Sequence, residues 1–194
     1  TVAVGNAQLV ISPLAPSENN YQTTVNAPKF DCEFFPAGSD PKTCIAATAV
    51  KTVRVPTQPA ADRGTQTLTS DKLIANFDAG SRELAALEAT GNAKFNERDR
   101  NGTSEKITYT TADQTVRLRG GSPNVWDSKA RAKAPEIDWN TRDEVSELRG
   151  GASTTYFSVS NTGGAAPFAQ SEKPVYVTAD NARFDLRAEV AVFT

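Results

Sequence analysis

Apolar and polar residues alternate along much of the chain. In residues 106–110, 115–119 and 136–140 every second side chain is apolar and its neighbours are polar or charged. The apolar positions are Ile107 and Tyr109, Val116 and Leu118, and Ile137 and Trp139. A period of two is typical of half-buried β-strands, so the pattern predicts strands in all three places.

Short turn sequences separate the predicted strands. They are Ala37-Gly38-Ser39, Ala79-Gly80-Ser81, Asn101-Gly102 and Gly120-Gly121. Asn101-Gly102-Thr103 also fits a glycosylation sequon, but Asn-Gly is a strong hairpin signal and we interpret it as a turn. Residues 82–89 contain good helix formers, yet their place in the repeat described next predicts a strand.

A unit of two strands recurs with an offset of 30 residues. Residues 109–126 align with residues 139–156, so that Asp113 matches Asp143 and Leu118-Arg119-Gly120-Gly121 matches Leu148-Arg149-Gly150-Gly151. Such a unit cannot bury its apolar face alone, so copies must stack. The glycines then let the chain bend sharply between strands. The repeat predicts an elongated all-β body.

Weaker sequence similarities extend the repeat toward both ends. Gly5-Asn6-Ala7 resembles Gly91-Asn92-Ala93, and residues 27–31 resemble residues 134–138. Because the sequence starts and stops within such units, we expect either a fragment of a longer array, truncated at its C-terminal end, or an array that continues into a partner. We divide it into an N-terminal β segment, residues 1–60, within the same body, and a repeat array, residues 66–194. Loops are predicted at 12–20 and 158–173, and a linker at 57–65.

Cys32 and Cys44 are placed symmetrically about Gly38. If this stretch is a hairpin, the two cysteines face each other and come close enough for a disulfide. A disulfide implies an oxidising compartment. The alternative is two small buried apolar residues in a reduced protein.

Composition narrows the function. The 194 residues carry a formal net charge of −2, without the basic excess typical of nucleic-acid binders. There is no histidine, which excludes imidazole catalysis and His-ligated zinc. No apolar stretch is long enough for a membrane helix, and no signal peptide or membrane anchor is evident. We predict a protein that is not an enzyme, with no metal and no cofactor.

The corner motifs resemble a known family. Gly91-Asn92-Ala93, the Gly121-Ser122-Pro123 corner, and a strand beginning at Asp180-Asn181-Ala182 resemble the OstA-like repeat of lipopolysaccharide-transport proteins of the LptA and LptC type. The resemblance extends from about Leu68 to Tyr156 and resumes at Val175.

This resemblance implies a twisted β-jellyroll that is open at its ends. It also implies a periplasmic module that carries the acyl chains of lipopolysaccharide in an apolar interior. The implied partners are lipopolysaccharide, through its lipid A acyl chains, and other jellyroll transport modules joined by edge-strand addition. A homo-oligomer is a further option, and nucleic acid is not expected.

The alternation predicts which side chains face the interior. These are Leu84, Leu87, Phe95, Ile107, Tyr109, Val116, Leu118, Val125, Ile137, Trp139 and Leu148. A lipid-binding interior and a dry structural core produce the same alternation, so both interpretations stay open. Arg117, Arg119 and Arg149 are candidates for lipid phosphate contacts, with a solvated strand face as the alternative.

Two other functions remain as alternatives. One is a structural or adhesive repeat that binds a protein or glycan through Trp126, Tyr156 and Phe157 on its outer face. Val125 and Trp126 compete for the interior, so their orientation is open. The other is a β-helical glycosidase that uses Asp113 and Asp143, but their equivalent positions in successive repeats favour turn-forming aspartates.

Overall fold

The computed structural model describes residues 1–13, 20–36, 38–58, 64–157 and 174–194. All helical or extended elements within these ranges are β-strands, so the all-β prediction is confirmed. No helix in the described ranges is long and apolar enough to cross a membrane. Residues 14–19 of the first predicted loop, the whole of the loop predicted at 158–173, and residues 59–63 of the predicted linker lie outside the described residues. So does Ala37 of the predicted turn at residues 37–39.

The chain forms two compact units, Thr1–Arg98 and Asp99–Thr194. The predicted boundary between residues 60 and 66 is a different division and stays a prediction. The strands of the first unit are β1 (Val2–Ile11), β2 (Tyr21–Phe34), β3 (Pro41–Pro56), β4 (Gln66–Phe77) and β5 (Leu84–Glu97). They pair in chain order as an antiparallel sheet. Residues 82–89, with their helix-forming composition, therefore enter a strand, as the repeat predicts.

The described residues of the second unit form eight strands. They are β6 (Arg100–Thr110), β7 (Thr115–Arg119), β8 (Asn124–Trp126), β9 (Ala130–Lys133), β10 (Glu136–Asn140), β11 (Val145–Tyr156), β12 (Val175–Asp185) and β13 (Val190–Phe193). The main order of paired strands is β6-β7-β10-β11-β12-β13. Beside it, β8 pairs with the first half of β6, β9 pairs with the second half of β11, and β8 and β9 pair with each other.

A line of backbone irregularities crosses the first unit at one level. The pairings shift register between Val4 and Ala7, Asn26 and Lys29, Ala47 and Val50, and Thr69 and Lys72. Bulged strands bend, so each long strand contributes to two half-sheets that meet at this line. We call this line the corner of the first unit.

The second unit has an equivalent corner. Gly120–Pro123 separates β7 from β8, Ala134-Pro135 separates β9 from β10, and β11 shifts register at Gly150-Gly151. The two Ala-Pro echoes, at residues 27–28 and 134–135, thus both mark corner positions. The predicted glycine corners are confirmed.

Gly91 shows why a corner requires glycine. Its φ of +79° lies in the left-handed region, which costs other residues energy. A Cβ at this position would come within 2.7 Å of the Asp71 Cβ. The glycine of the Gly-Asn-Ala motif is therefore required by both conformation and space.

The hairpin between β2 and β3 carries the predicted disulfide. Cys32 and Cys44 are directly opposite in the ladder, with their Cα atoms 4.2 Å apart, and their sulfur atoms are bonded. Both side chains are buried. The disulfide prediction is confirmed.

Two local predictions are wrong. Asn101-Gly102 is not a turn but part of β6, and the chain turns at Arg98-Asp99 instead, where Arg98 has a φ of +56°. Gly102 is buried opposite Val125, where a Cβ would lie 3.4 Å from Leu118 Cδ2. The glycine therefore provides space rather than a turn.

Asp180 does not begin a strand, because it lies inside β12. It is at the level where β12 and β11 shift register, opposite Gly150-Gly151. The Asp180-Asn181-Ala182 motif is therefore another corner, with Asn and Ala in the same order as in the Gly-Asn-Ala motif.

Candidate functional site

The second unit presents a continuous apolar row across five strands. Leu118 lies opposite both Ile107 and Ile137, Ile137 lies opposite Leu148, and Leu148 lies opposite Ala182. Directly opposed residues share a face of a sheet. None of the five is more than 4% exposed. This buried row runs beside the corner.

A second row lies farther from the corner on the same face. Val116 is opposite Tyr109 and Trp139, and β11 and β12 add Ser146 and Phe184. These side chains are half-buried. The Phe184 ring meets Phe193 edge to face, with centroids 5.7 Å apart. The apolar face is thus packed near the corner and more accessible away from it.

The other half-sheet of this unit shows which of Val125 and Trp126 faces the interior. Val125 lies opposite Gly102 and Ala132, which are both buried. Trp126 lies on the other face, and the Arg131 guanidinium carbon is 5.5 Å from its ring centroid. Val125 therefore belongs to the interior face.

The aromatic residues of the adhesive alternative do not share a surface. β11 pairs with β9 so that Thr155 lies opposite Arg131 and Tyr156 opposite Ala130. Successive residues of a strand point to opposite faces, so Trp126 and Tyr156 lie on different sides of this half-sheet. Phe157 is 40% exposed, just beyond the end of β11.

The remaining predicted interior residues belong to the first unit. Phe95 lies opposite Leu68, and Leu87 lies opposite Ala75. Leu84 is opposite Phe77, which is buried. All three are half-buried and lie on the apolar face, with Phe95 on one side of the corner and Leu84 and Leu87 on the other.

The sequence analysis did not predict that alanines are buried at the corners. Each is at most 5% exposed, and they are Ala27, Ala46, Ala89, Ala93, Ala134, Ala152 and Ala182. They lie where two half-sheets converge, so only a small side chain fits between them. The third residue of the Gly-Asn-Ala motif and the first of the Ala-Pro echo were the available signals.

The three candidate phosphate-binding arginines lie on the face opposite the apolar rows. Arg119 pairs with Asp138 at 2.6 Å and with Glu136 at 3.5 Å. Arg149 pairs with the other oxygen of Asp138 at 2.8 Å and also with Glu147. Hydrogen bonds from Arg149 to Asp138 and Glu147 raise the pKa of this guanidinium.

Arg117 pairs with Asp113, four residues earlier. The hydrogen bond from this guanidinium is the main cause of the lowered pKa of Asp113. All three arginines thus have carboxylate partners within the protein. A role in binding lipid phosphate stays a prediction.

Asp113 and Asp143 occupy equivalent four-residue turns, 111–114 and 141–144. Asp113 accepts a hydrogen bond from the Thr115 backbone N–H at 3.1 Å, which is the usual role of a turn aspartate. The described residues contain no cluster of three or more His, Cys, Asp or Glu side chains that could hold a metal ion.

A match to a protein family supports the predicted resemblance to lipopolysaccharide-transport proteins. Residues 60–145 match the family described as LptA/(LptD N-terminal domain) LPS transport protein. A search of curated protein sequences gave no match. The matched family is described by a transport role and not by an enzyme activity.

The fold has a counterpart among solved structures. LptH from Pseudomonas aeruginosa, described as the LptA-homologous periplasmic component of the lipopolysaccharide transport device, superposes with a TM-score of 0.51 at 12% identity. The match covers 84% of this chain and 98% of that one. At this identity the similarity establishes the β-jellyroll fold alone. The predicted resemblance to lipopolysaccharide-transport proteins of the LptA type is therefore confirmed by the family match over residues 60–145, and the fold agrees with it.

Proposed function

We propose that this protein is a periplasmic lipopolysaccharide-transport module whose apolar face binds the acyl chains of its cargo. The observation that carries the proposal is the half-buried apolar row of Tyr109, Val116 and Trp139, which lies on the same face as the buried row and within the matched family segment. This row offers the accessible apolar surface that the buried row does not.

Burial of acyl chains needs no specific polar contact. Each methylene removed from water contributes about 0.8 kcal/mol, so several chains could bind by apolar contact alone. The charged face carries the arginine and carboxylate pairs and remains toward solvent. The same sheet thus separates a lipid face from a water face.

The two tryptophans test this arrangement as matched reporters. In Trp126→Phe only Trp139, on the apolar face, remains, and in Trp139→Phe only Trp126, on the polar face, remains. We expect lipopolysaccharide to shift the emission of Trp126→Phe to shorter wavelength and to leave that of Trp139→Phe unchanged. Deacylated polysaccharide is expected to change neither. A response confined to Trp139→Phe would contradict acyl binding on this face and favour sugar recognition on the other.

We also propose that modules of this type join through their edge strands. Among the described strands β1 pairs with β2 alone, so its other side presents backbone groups that no described strand pairs. Val4 is 80% exposed and Val2 is 56% exposed on this edge strand. A second jellyroll module that adds a strand here would pair those groups and cover both valines.

Charges on the edge are expected to prevent this association. We expect the unmodified protein to self-associate with rising concentration in sedimentation equilibrium. The double variant Val2→Lys, Val4→Lys is expected to stay monomeric over the same range, because lysine disfavours strand addition. Val55→Lys, which puts the same charge at an exposed valine of β3, a strand paired with both β2 and β4, is the control and is expected to self-associate like the unmodified protein. A monomer at all concentrations for the unmodified protein would contradict self-assembly through this edge.

A further inference from the structure

Among the residues that the structure describes, two threonine hydroxyls are buried in the apolar face without a hydrogen-bond partner. Thr52 is 3% exposed and Thr154 is 2% exposed, and the Oγ1 atom of each is unpaired. An unpaired buried hydroxyl costs about 1–3 kcal/mol, and valine has nearly the same shape without that cost. Their presence in an apolar surface therefore requires an explanation.

Both threonines face the interior. Thr52 lies opposite Val25, which is buried, and Leu68. Thr154 lies opposite Ala132, which is also buried, and Val177. Each hydroxyl is thus surrounded laterally by apolar side chains of neighbouring strands.

The two residues occupy the same position of the fold. Thr52 is the third residue after the Thr48-Ala49 corner of β3, and Thr154 is the third after the Gly150-Gly151 corner of β11. Each unit therefore places one unpaired hydroxyl at an equivalent depth. This recurrence makes an accidental packing defect a poor explanation.

Other strands that run in the same direction have apolar residues at this position. Leu9 is the third residue after Gly5-Asn6, Phe95 is the third after Gly91-Asn92, and Val125 is the third after Ser122. The position accepts an aliphatic or aromatic side chain. Threonine in one strand of each unit is thus a substitution of a polar group into an apolar row.

We propose that Thr52 and Thr154 are specificity residues that hydrogen-bond to an oxygen carried on an acyl chain. This inference rests on the proposed function. The group is a hydroxyl or an ester oxygen, because both accept a hydrogen bond from a threonine hydroxyl. Surrounding side chains cover both hydroxyls, so a bound chain reaches them as those side chains separate. Satisfying the hydroxyls then favours an oxygen-bearing chain over a plain one.

The test compares acyl probes that differ by one group. Tetradecanoic acid, 3-hydroxytetradecanoic acid and 3-acetoxytetradecanoic acid compete with a fluorescent fatty acid for the unmodified protein and for Thr52→Val, Thr154→Val. We expect at least one oxygen-bearing acid to bind the unmodified protein more tightly than tetradecanoic acid. The double variant is expected to lose this preference, a change of about tenfold in the affinity ratio. Preference for the hydroxy acid or for the acetoxy acid distinguishes the two oxygen groups.

Two controls separate the possible failures. Thr155→Val changes the neighbouring residue, which faces the other side of β11, and is expected to keep the preference. The double valine variant is expected to unfold at a higher denaturant concentration, because two unpaired hydroxyls are removed. Equal affinity ratios in the unmodified protein and the double variant, with all acids bound, would overturn the specificity role alone. Failure of all three acids to bind the unmodified protein would instead overturn the proposed acyl binding.

Discussion

Leu148→Ala is expected to lower the free energy of unfolding by about 2–5 kcal/mol, the usual cost of a large cavity in a packed interior. Leu148 is 1% exposed and lies between Ile137 and Ala182 in the buried row. The surrounding strands are held by backbone pairing on both sides, so they cannot close the cavity completely. Urea denaturation followed by circular dichroism measures the change.

Leu186→Ala provides the matched control, because it removes the same atoms from a side chain that is 52% exposed. Its effect is expected to stay within about 0.5 kcal/mol. Similar losses for the two variants would show that the buried row is not packed in solution. The row beside the corner would then be part of an open groove rather than the structural core beneath it.

This prediction separates the two interpretations that the sequence left open. A dry core and a binding surface produce the same alternation of apolar and polar residues. The structure distinguishes their positions by how far each side chain is buried. Ile107, Leu118, Ile137 and Leu148 are buried near the corner, whereas Val116 and its neighbours in the second row remain half-exposed. For these two rows of the second unit, we therefore assign stability to the first and propose lipid contact for the second.

Local periodicity accounts for what the sequence predicted well. A strand with one buried face must alternate, so residues 106–110 and 136–140 identified their strands and their inward side chains. Cys32 and Cys44 were predictable because equal distances from one turn place residues opposite each other. The glycine corners followed from the recurrence of a residue that tolerates positive φ.

Long-range packing accounts for what the sequence did not predict. Gly102 has the chemistry of a hairpin turn, but the space beside Leu118 and Val125 gives it a different role. The partners of Arg119 depend on the register between β7 and β10, which neither strand encodes alone. The unpaired hydroxyl of Thr52 is likewise visible only when the neighbouring strands are in place.

Acyl-chain binding on the apolar face is tested by placing a photoreactive benzoylphenylalanine at one of two adjacent positions in β7. Val116 is half-buried on the apolar face, and Arg117 is its neighbour on the charged face. The two variants share the same strand and the same distance from the corner. They differ in the face that carries the photoreactive group, so they report which face lipid contacts.

We expect irradiation with lipopolysaccharide to give a crosslinked product at position 116 and little or none at position 117. Deacylated polysaccharide is expected to give no product at either position, because the sugar has no chain to place on the apolar face. The contrary result is equal crosslinking at both positions, or crosslinking at position 117 alone. Either pattern would mean that the apolar face of this sheet is not where the cargo binds.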